Sequence, residues 1–351
     1  MVDTMDKVET ILAHTDEVVT KEELSEVVKK DHPRAYIGFE PSGTVHLGWK
    51  ICTNKINDFL SAGFDFTVLL ADWHAYINDK LGGDIEIIKL CGRYMEDCFA
   101  AMGIDTDKVS FVYASEYVGD PKYWELVLKT SKAVSVARVK RAMDIMGRDA
   151  EEAEKDLSKL FYPAMQVADI FYLDLDVAYG GTDQRHAHML ARDVAKKIDK
   201  KSPVALHTPL LTGLQAGGRM NPVEAKMSKS KPDSMISIHD TPDEVNRKVK
   251  KAYCPEKQVE GNPILEMCKY VVFPEFKDEP FLIERPEKWG GNLEFQSYEE
   301  LENAFKKDLH PLDLKTSTAK YLNQILEPIH AYFKKHPENY EKMKKSGIIT
   351  R

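Results

Sequence analysis

Along the N-terminal half of the chain the apolar residues switch repeatedly between two periods. AYIGFE, FDFTVLLA and KVSFVYA are short runs rich in β-branched and aromatic residues, the composition of strands. Between them, HLGWKICTNKINDFLSAG and DIEIIKLCGRYMEDCFAAMG carry apolar residues at helical spacing. That alternation predicts a parallel sheet with crossover helices. From about Pro121 to Leu160 only the helical period persists. Helix and strand then alternate again through FYPAMQVADIFYL, DVAYGG, TDQRHAHMLARDVAKK and VALHTPLL. The expected fold is α/β: a doubly wound parallel sheet, interrupted by a helical insertion at about 118–160.

Beyond Leu211 the pattern breaks into TGLQAGGRMNPVEAKMSKSKPDSM, at about 212–235, too long for a simple connection. Two capping boxes follow. Thr241-Pro242-Asp243-Glu244 has proline at the first helical position, and Ser297-Tyr298-Glu299-Glu300 repeats the box without it. Residues 236–351 therefore read as a mainly helical second domain behind a sheet-based domain of residues 1–235.

Composition agrees with this two-domain reading: 351 residues, 43% hydrophobic and 30% charged, describe an ordinary globular chain. No apolar run approaches the roughly 18 residues of a membrane span. The opening MVDTMDKVETILAHTDEVVT lacks the basic and apolar regions of a secretion signal, so the expected location is the cytoplasm. Cys52, Cys91, Cys98, Cys254 and Cys268 are scattered without a C-x-x-C pair, which predicts reduced, mostly buried thiols and no zinc or other protein-held metal site. A formal charge of -8 argues against indiscriminate coating of nucleic acid. Local basic runs exist nonetheless: Lys129, Lys132, Arg138, Lys140 and Arg141 in one, Arg247, Lys248, Lys250 and Lys251 in another. Each is either a solvated helix face or the kind of patch a selective RNA partner would meet.

Two short stretches carry chemistry. A strand ending at Glu40, a Pro-Ser-Gly turn and a helix opening at His46 reproduce the strand-turn-helix arrangement of Rossmann-like nucleotide sites, where a helix N-terminus offers N–H groups to phosphate. Gly48 leaves the backbone open to a nucleobase, and His46 can donate to a phosphate oxygen whose charge grows during transfer. Far downstream, Lys226-Met227-Ser228-Lys229-Ser230 places two ammonium groups and two hydroxyls where they can neutralise a departing pyrophosphate. A third pattern lies on one helix: at about 100° per residue, Tyr162, Gln166 and Asp169 share a face, and that trio makes a poor core stripe.

HLGW and KMSKS resemble the two signatures of class I aminoacyl-tRNA synthetases. AYIGFEPSG, LLADWHAYIND, FYPAMQVADIFYL, GGTDQRHAHMLAR, KKAYCPE, RPEKWGGN and LHPLDLK are similar to the tyrosyl enzymes of the archaeal and eukaryotic branch, from about residue 20 to about residue 335. The resemblance implies activation of L-tyrosine by ATP, with Mg2+ accompanying the pyrophosphate, and transfer to tRNA(Tyr) by a homodimer without membrane association. It assigns catalysis to His46, Gly48, Lys226 and Lys229, and ATP binding to His46, Gly48, Lys229 and Ser230. Tyr36 and Asp169 would meet the substrate phenol; Tyr162, Gln166 and Gln184 would meet its ammonium group; His74 would either line the same cleft or serve as a buried structural histidine. Arg141 and Arg185 would face the acceptor stem. Trp289 and Asp313 would hold the first anticodon base, which makes residues 236–351 the anticodon-binding domain, although Trp289 also suits a small core. Trp49 stands where the first signature usually ends in a second histidine.

Three alternatives share part of this pattern. A tryptophanyl enzyme has the same signatures but no need of the Tyr36 and Asp169 pair. A non-catalytic RNA-binding paralogue would not need an intact KMSKS and a full pocket set. Another α/β adenylyltransferase with a similar turn would lack the anticodon-type C-terminal segment.

Overall fold

The computed structural model of the chain describes residues 4–146, 156–215 and 232–347. They pack as two compact units, one built from Met1–Gly43, Lys55–Pro209 and Glu338–Thr350, the other from Thr44–Asn54 and Leu210–Pro337. The units are interleaved in sequence and do not divide at a single point of the chain. Backbone pairing explains the first exchange: Leu47 N–H donates to Ile236 O at 2.8 Å and Ile238 N–H to Val45 O at 3.2 Å, tying the Thr44–Asn54 segment to downstream chain.

The first unit holds a six-stranded sheet in the order β1-β6-β5-β2-β3-β4. Its strands are β1 (Glu17–Val19), β2 (Arg34–Phe39), β3 (Asp65–Leu70), β4 (Val109–Tyr113), β5 (Val177–Gly181) and β6 (Val204–Thr208). All neighbours are parallel except β1, which runs antiparallel along β6 at the edge. The strand β1 is absent from the sequence reading because three residues cannot establish a period. Strand order reverses between β2 and β5, so the chain leaving both strands opens a crevice, the usual ligand site of doubly wound sheets. Glu40 follows β2 and Thr182–Gln184 follows β5.

Helices cover the sheet: α1 (Thr4–Leu12), α2 (Lys21–Val27), α3 (Trp49–Ser61), α4 (Asp72–Ile77) and α5 (Ile85–Ala101) come before the insertion. The insertion supplies α6 (Pro121–Ala133) and α7 (Val136–Ala142); α8 (Ser158–Tyr172) and α9 (Arg185–Ala195) complete the crossovers. Most of α8 is buried, and Val167, Ala168 and Ile170 join Tyr36, Ala178 and Leu190 in one core. Such a helix turns even its polar residues inward, which is how Asp169 comes to be only 1% exposed. The helix Glu338–Lys345 also belongs here: Tyr340 stacks on Tyr94 of α5 and Asn339 donates to Asp97 at 2.9 Å.

The second unit contains α10 (Pro242–Lys251), α11 (Pro263–Met267), α12 (Tyr298–Lys307) and α13 (Pro311–Lys335), with a small antiparallel pair, β7 (Phe281–Ile283) and β8 (Leu293–Phe295). The expected capping box of α10 forms, Thr241 Oγ1 accepting from Glu244 N–H while Glu244 accepts from Thr241 N–H. All five cysteines are free thiols, four of them buried. Among the described residues no helix is long and apolar enough to cross a membrane.

Candidate active site

Asp169 is the centre of a ring of phenols. Its Oδ1 accepts from Tyr117 at 2.7 Å and from Tyr123 at 3.0 Å. Its Oδ2 is buried without a hydrogen-bond partner, although His74 Nε2 stands 3.1 Å away, out of alignment. Burial first, and the Asp169 charge second, push the phenols of Tyr36, Tyr117 and Tyr123 well above the ordinary tyrosine value, so all three stay protonated. Gln166 pulls Tyr36 the other way through a side-chain hydrogen bond. Burial works against the charge of His74, but Asp169, Glu40 and Asp72 together raise it above its usual value. An oxygen of a buried carboxylate facing fixed donors is a strong acceptor for an incoming hydroxyl, since leaving it unmatched is costly.

One and two turns N-terminal to Asp169 on α8 the other polar side chains form a second cluster. Gln166 Nε2 donates to Gln184 Oε1 at 3.1 Å, and Gln166 Oε1 is buried without a partner. Tyr162 Oη donates to Glu40 Oε1 at 2.8 Å, and its ring meets that of His74 edge-on with centroids 5.0 Å apart. Glu40 is held from the far side by Asn78 Nδ2 at 2.9 Å and Lys80 Nζ at 3.4 Å. Gly180 makes room for this corner: a Cβ there would lie 3.0 Å from Gln184 Cβ and 3.2 Å from the His188 ring. The structure thus brings Tyr36, Tyr162, Gln166, Asp169 and Gln184 to the crevice at the strand reversal. Glu40, Tyr117 and Tyr123 belong with them and were not assigned from the sequence. Glu40 carried a signal, being the first residue past a central strand; Tyr117 lies in a turn, where no period exists to flag it, and Tyr123 lies on the buried stripe of α6 with Val127, where a tyrosine reads as core.

The His46 turn, in the second unit, differs from expectation in one respect. The helix opens at Trp49, not at His46. Val45 and Leu47 are fully buried while His46 and Gly48 are half-buried; His46 forms an isolated antiparallel bridge with Ser237, and Leu47 and Gly48 turn into the helix. Backbone hydrogen bonds to Ile236 and Ile238 outcompete helix formation until residue 49. A Cβ at Gly48 would lie 2.8 Å from His46 Nδ1, so only glycine admits the imidazole in this position. Lys226, Lys229 and Ser230 lie outside the described residues.

The residues expected at RNA are dispersed. Arg185 is exposed at the start of α9, its Nε 2.8 and 3.0 Å from the two Glu17 oxygens. Arg141 is exposed on α7. Trp289 is 66% exposed with Lys288 Nζ 5.5 Å from its ring centroid, which rules out a core role, and Asp313 sits half-buried in the first turn of α13. Part of the basic runs is already paired: Lys129 with Glu125, Arg138 with Asp193, Arg247 with Asp233 and Lys248 with Asp240.

The reversed sheet, the phenol-lined carboxylate and the glycine-cradled histidine define a class I tRNA synthetase, and the family model described as tRNA synthetases class I (W and Y) matches residues 28–327. The tyrosine--tRNA ligase of Saccharolobus solfataricus is 51% identical, covering 98% of this chain and 97% of its own. That of Sulfolobus acidocaldarius is 52% identical over 92% of each. Among solved structures, tyrosyl-tRNA synthetase from Pyrococcus horikoshii complexed with L-tyrosine superposes with a TM-score of 0.91 at 42% identity, covering 98% of this chain and 100% of that one. The chain belongs to the tyrosine--tRNA ligase family of class I synthetases. A tryptophanyl-tRNA synthetase from Aeropyrum pernix, 20% identical with a TM-score of 0.69, shares the fold.

Proposed function

We propose that this chain activates L-tyrosine with ATP and transfers it to the 3′ end of tRNA(Tyr) for cytoplasmic protein synthesis. One observation supports the tyrosine reading most: the buried Oδ2 of Asp169 accepts no hydrogen bond, having only the misaligned His74 ring beside it, while the phenols of Tyr117 and Tyr123 are committed to Oδ1. A substrate hydroxyl supplies the missing proton; phenylalanine leaves the oxygen bare. Tyr36 completes the phenol site. Tyr162, Gln166 and Gln184 take the ammonium group, with the Glu40 carboxylate behind Tyr162 supplying the countercharge.

In the activation step a tyrosine carboxylate oxygen bonds to the α-phosphorus of ATP as the bond to pyrophosphate breaks. His46 donates to the phosphate, Gly48 keeps that face open, and Lys226, Lys229 and Ser230 neutralise the leaving group, which departs with Mg2+. The terminal ribose hydroxyl of the tRNA then attacks the tyrosyl carbonyl carbon and AMP leaves. Neither step requires a covalent enzyme intermediate, so the protein contributes position and charge. Arg141 and Arg185 are proposed at the acceptor stem, Trp289 and Asp313 at the anticodon, with a homodimer as the working form. Exposure of the Trp289 indole favours this role, since a base can stack only on an accessible ring.

Amino-acid-dependent ATP–pyrophosphate exchange tests the reading directly. Exchange is expected with tyrosine and not with tryptophan or phenylalanine; exchange driven by tryptophan alone overturns it.

A further inference from the structure

The second unit holds a buried charge pair that the chemistry above does not use. Lys248 lies on α10 inside the basic run Arg247–Lys251, yet it is only 4% exposed. Its Nζ stands 2.5 Å from Asp240 Oδ2 and 3.0 Å from Met235 O. The same Asp240 oxygen accepts from Ser237 N–H at 2.9 Å. One ammonium group therefore grips the segment Met235–Asp240 at both ends, and its carboxylate partner grips the middle. That segment is the one that holds the His46 turn: Leu47 N–H donates to Ile236 O, Ile238 N–H donates to Val45 O, and Ser237 is the bridge partner of His46. Arg247, the preceding residue, fixes Asp233 just upstream at 2.8 Å.

A cation needed only for solubility or for phosphate contact would stay in water, because burying it is expensive unless it is paired and hydrogen-bonded. Buried ion pairs contribute little net stability compared with apolar packing, and their best-attested use is to fix one arrangement among several. Here the arrangement fixed is the register of Met235–Ile238 against Val45–Leu47. Register matters at this point because Val45 and Leu47, on either side of His46, are fully buried, so a one-residue slip at the bridge would turn the imidazole into the core.

We propose that Lys248 and Asp240 are positioning residues for His46, acting through the backbone of Met235–Ile238 to hold the imidazole where it meets the ATP phosphates. The proposal rests on the assignment of His46 to the activation step.

The test uses the full chain, with Lys248→Met, Lys248→Arg and Asp240→Asn made alone and in a His46→Ala background. Readouts are kcat and tyrosine KM in pyrophosphate exchange, together with melting temperature. Lys248→Met is expected to lower kcat about tenfold or more while tyrosine KM changes less than about twofold, the pattern of an interaction used in the transition state. Lys248→Arg should restore part of kcat. Residues acting as a unit are not additive, so in the His46→Ala background Lys248→Met should cost less than about a further twofold. An equal loss in both backgrounds overturns the coupling, as does a lowered melting temperature with unchanged kcat. Should Lys248→Met not fold, Asp240→Asn carries the same comparison. If His46→Ala itself leaves kcat unchanged, the assignment of His46 has failed, and the proposal falls with it.

Discussion

Tyr117 donates its phenolic proton to Asp169 across 2.7 Å, from the turn that precedes α6, fifty-two positions before the carboxylate. With Tyr123 on the same oxygen, two phenols orient the carboxyl group and leave its other oxygen, beside His74, without a hydrogen bond. Tyr117→Phe removes one of these hydrogen bonds to a charged group, each worth about 1.5–3 kcal/mol. Tyrosine KM in pyrophosphate exchange should rise by roughly tenfold or more, with discrimination against phenylalanine falling alongside it. An unchanged KM would mean that Asp169 is oriented by something other than its phenol partners.

Glu40 offers a way to separate the two ends of the pocket. It takes the Tyr162 proton at 2.8 Å and is braced by Asn78 and Lys80, so its charge is held in place behind the ammonium site. Glu40→Gln should weaken binding of L-tyrosine by about tenfold, the scale of a lost partly buried charge contact, while leaving affinity for 3-(4-hydroxyphenyl)propionate, which has no amine, within about twofold. Calorimetry with both ligands checks this. Equal losses for the two would place Glu40 in the pocket's general architecture and not at its cationic end.

Much of this site was legible in the sequence because helical periodicity is long-range information. The 3.6-residue period sets Tyr162, Gln166 and Asp169 on one face of a helix, and the strand-helix alternation locates the sheet around them. What escaped was held by contacts between elements. Tyr117 and Tyr123 reach Asp169 across some fifty positions, and nothing local tells of that partner, even where the period of α6 marks Tyr123 as buried. The helix start at His46 was misplaced for a related reason: the local pattern fitted a helix, but pairing with Ile236 and Ile238 prevailed. Likewise Lys248 reads as part of a charged surface in the sequence, whereas Asp240 draws it into the interior and leaves Arg247 on the surface, paired with Asp233.

The pair His188 and His207 gives the fold a pH dependence of predictable sign. His188 Nδ1 lies 3.0 Å from His207 Nε2, and His207 Nδ1 lies 2.9 Å from Glu17. Burial, then the neighbouring His207, holds His188 well below its ordinary 6.5; burial lowers His207 too, against the pull of Glu17. A histidine depressed in the folded state binds more protons when unfolded, so stability rises with pH through the window. The contribution is complete above about pH 6.5 and is lost below it at up to about 1.4 kcal/mol per pH unit per proton. The urea midpoint should therefore fall between pH 7.5 and pH 5.5, and His188→Asn should flatten that fall. His74, raised in the fold, contributes with the opposite sign in both proteins, so the difference between them isolates the His188–His207 pair. An identical slope in the variant would assign the acid lability to other groups.

Trp49, standing where the signature usually carries histidine, is 7% exposed and opens α3, whereas His46 is half-exposed and fixed by its turn. The indole has one N–H and a large apolar body, which suits packing better than phosphate contact. Trp49→Ala should cost about 3–5 kcal/mol of stability, the usual cost of a buried large-to-small change, with only a modest loss of exchange rate at temperatures where the protein stays folded. His46→Ala should do the reverse, lowering exchange by about 10²–10³, the effect of losing one oriented donor to a developing charge, at little cost in stability. Gly48→Ala provides the intermediate case. Its new Cβ would sit 2.8 Å from His46 Nδ1 and displace the ring without removing it, so its exchange rate should fall toward that of His46→Ala while tyrosine affinity is kept. If Trp49→Ala were the catalytic lesion and His46→Ala the structural one, the roles of the two positions would be exchanged, and the indole, not the imidazole, would be the group that meets the phosphate.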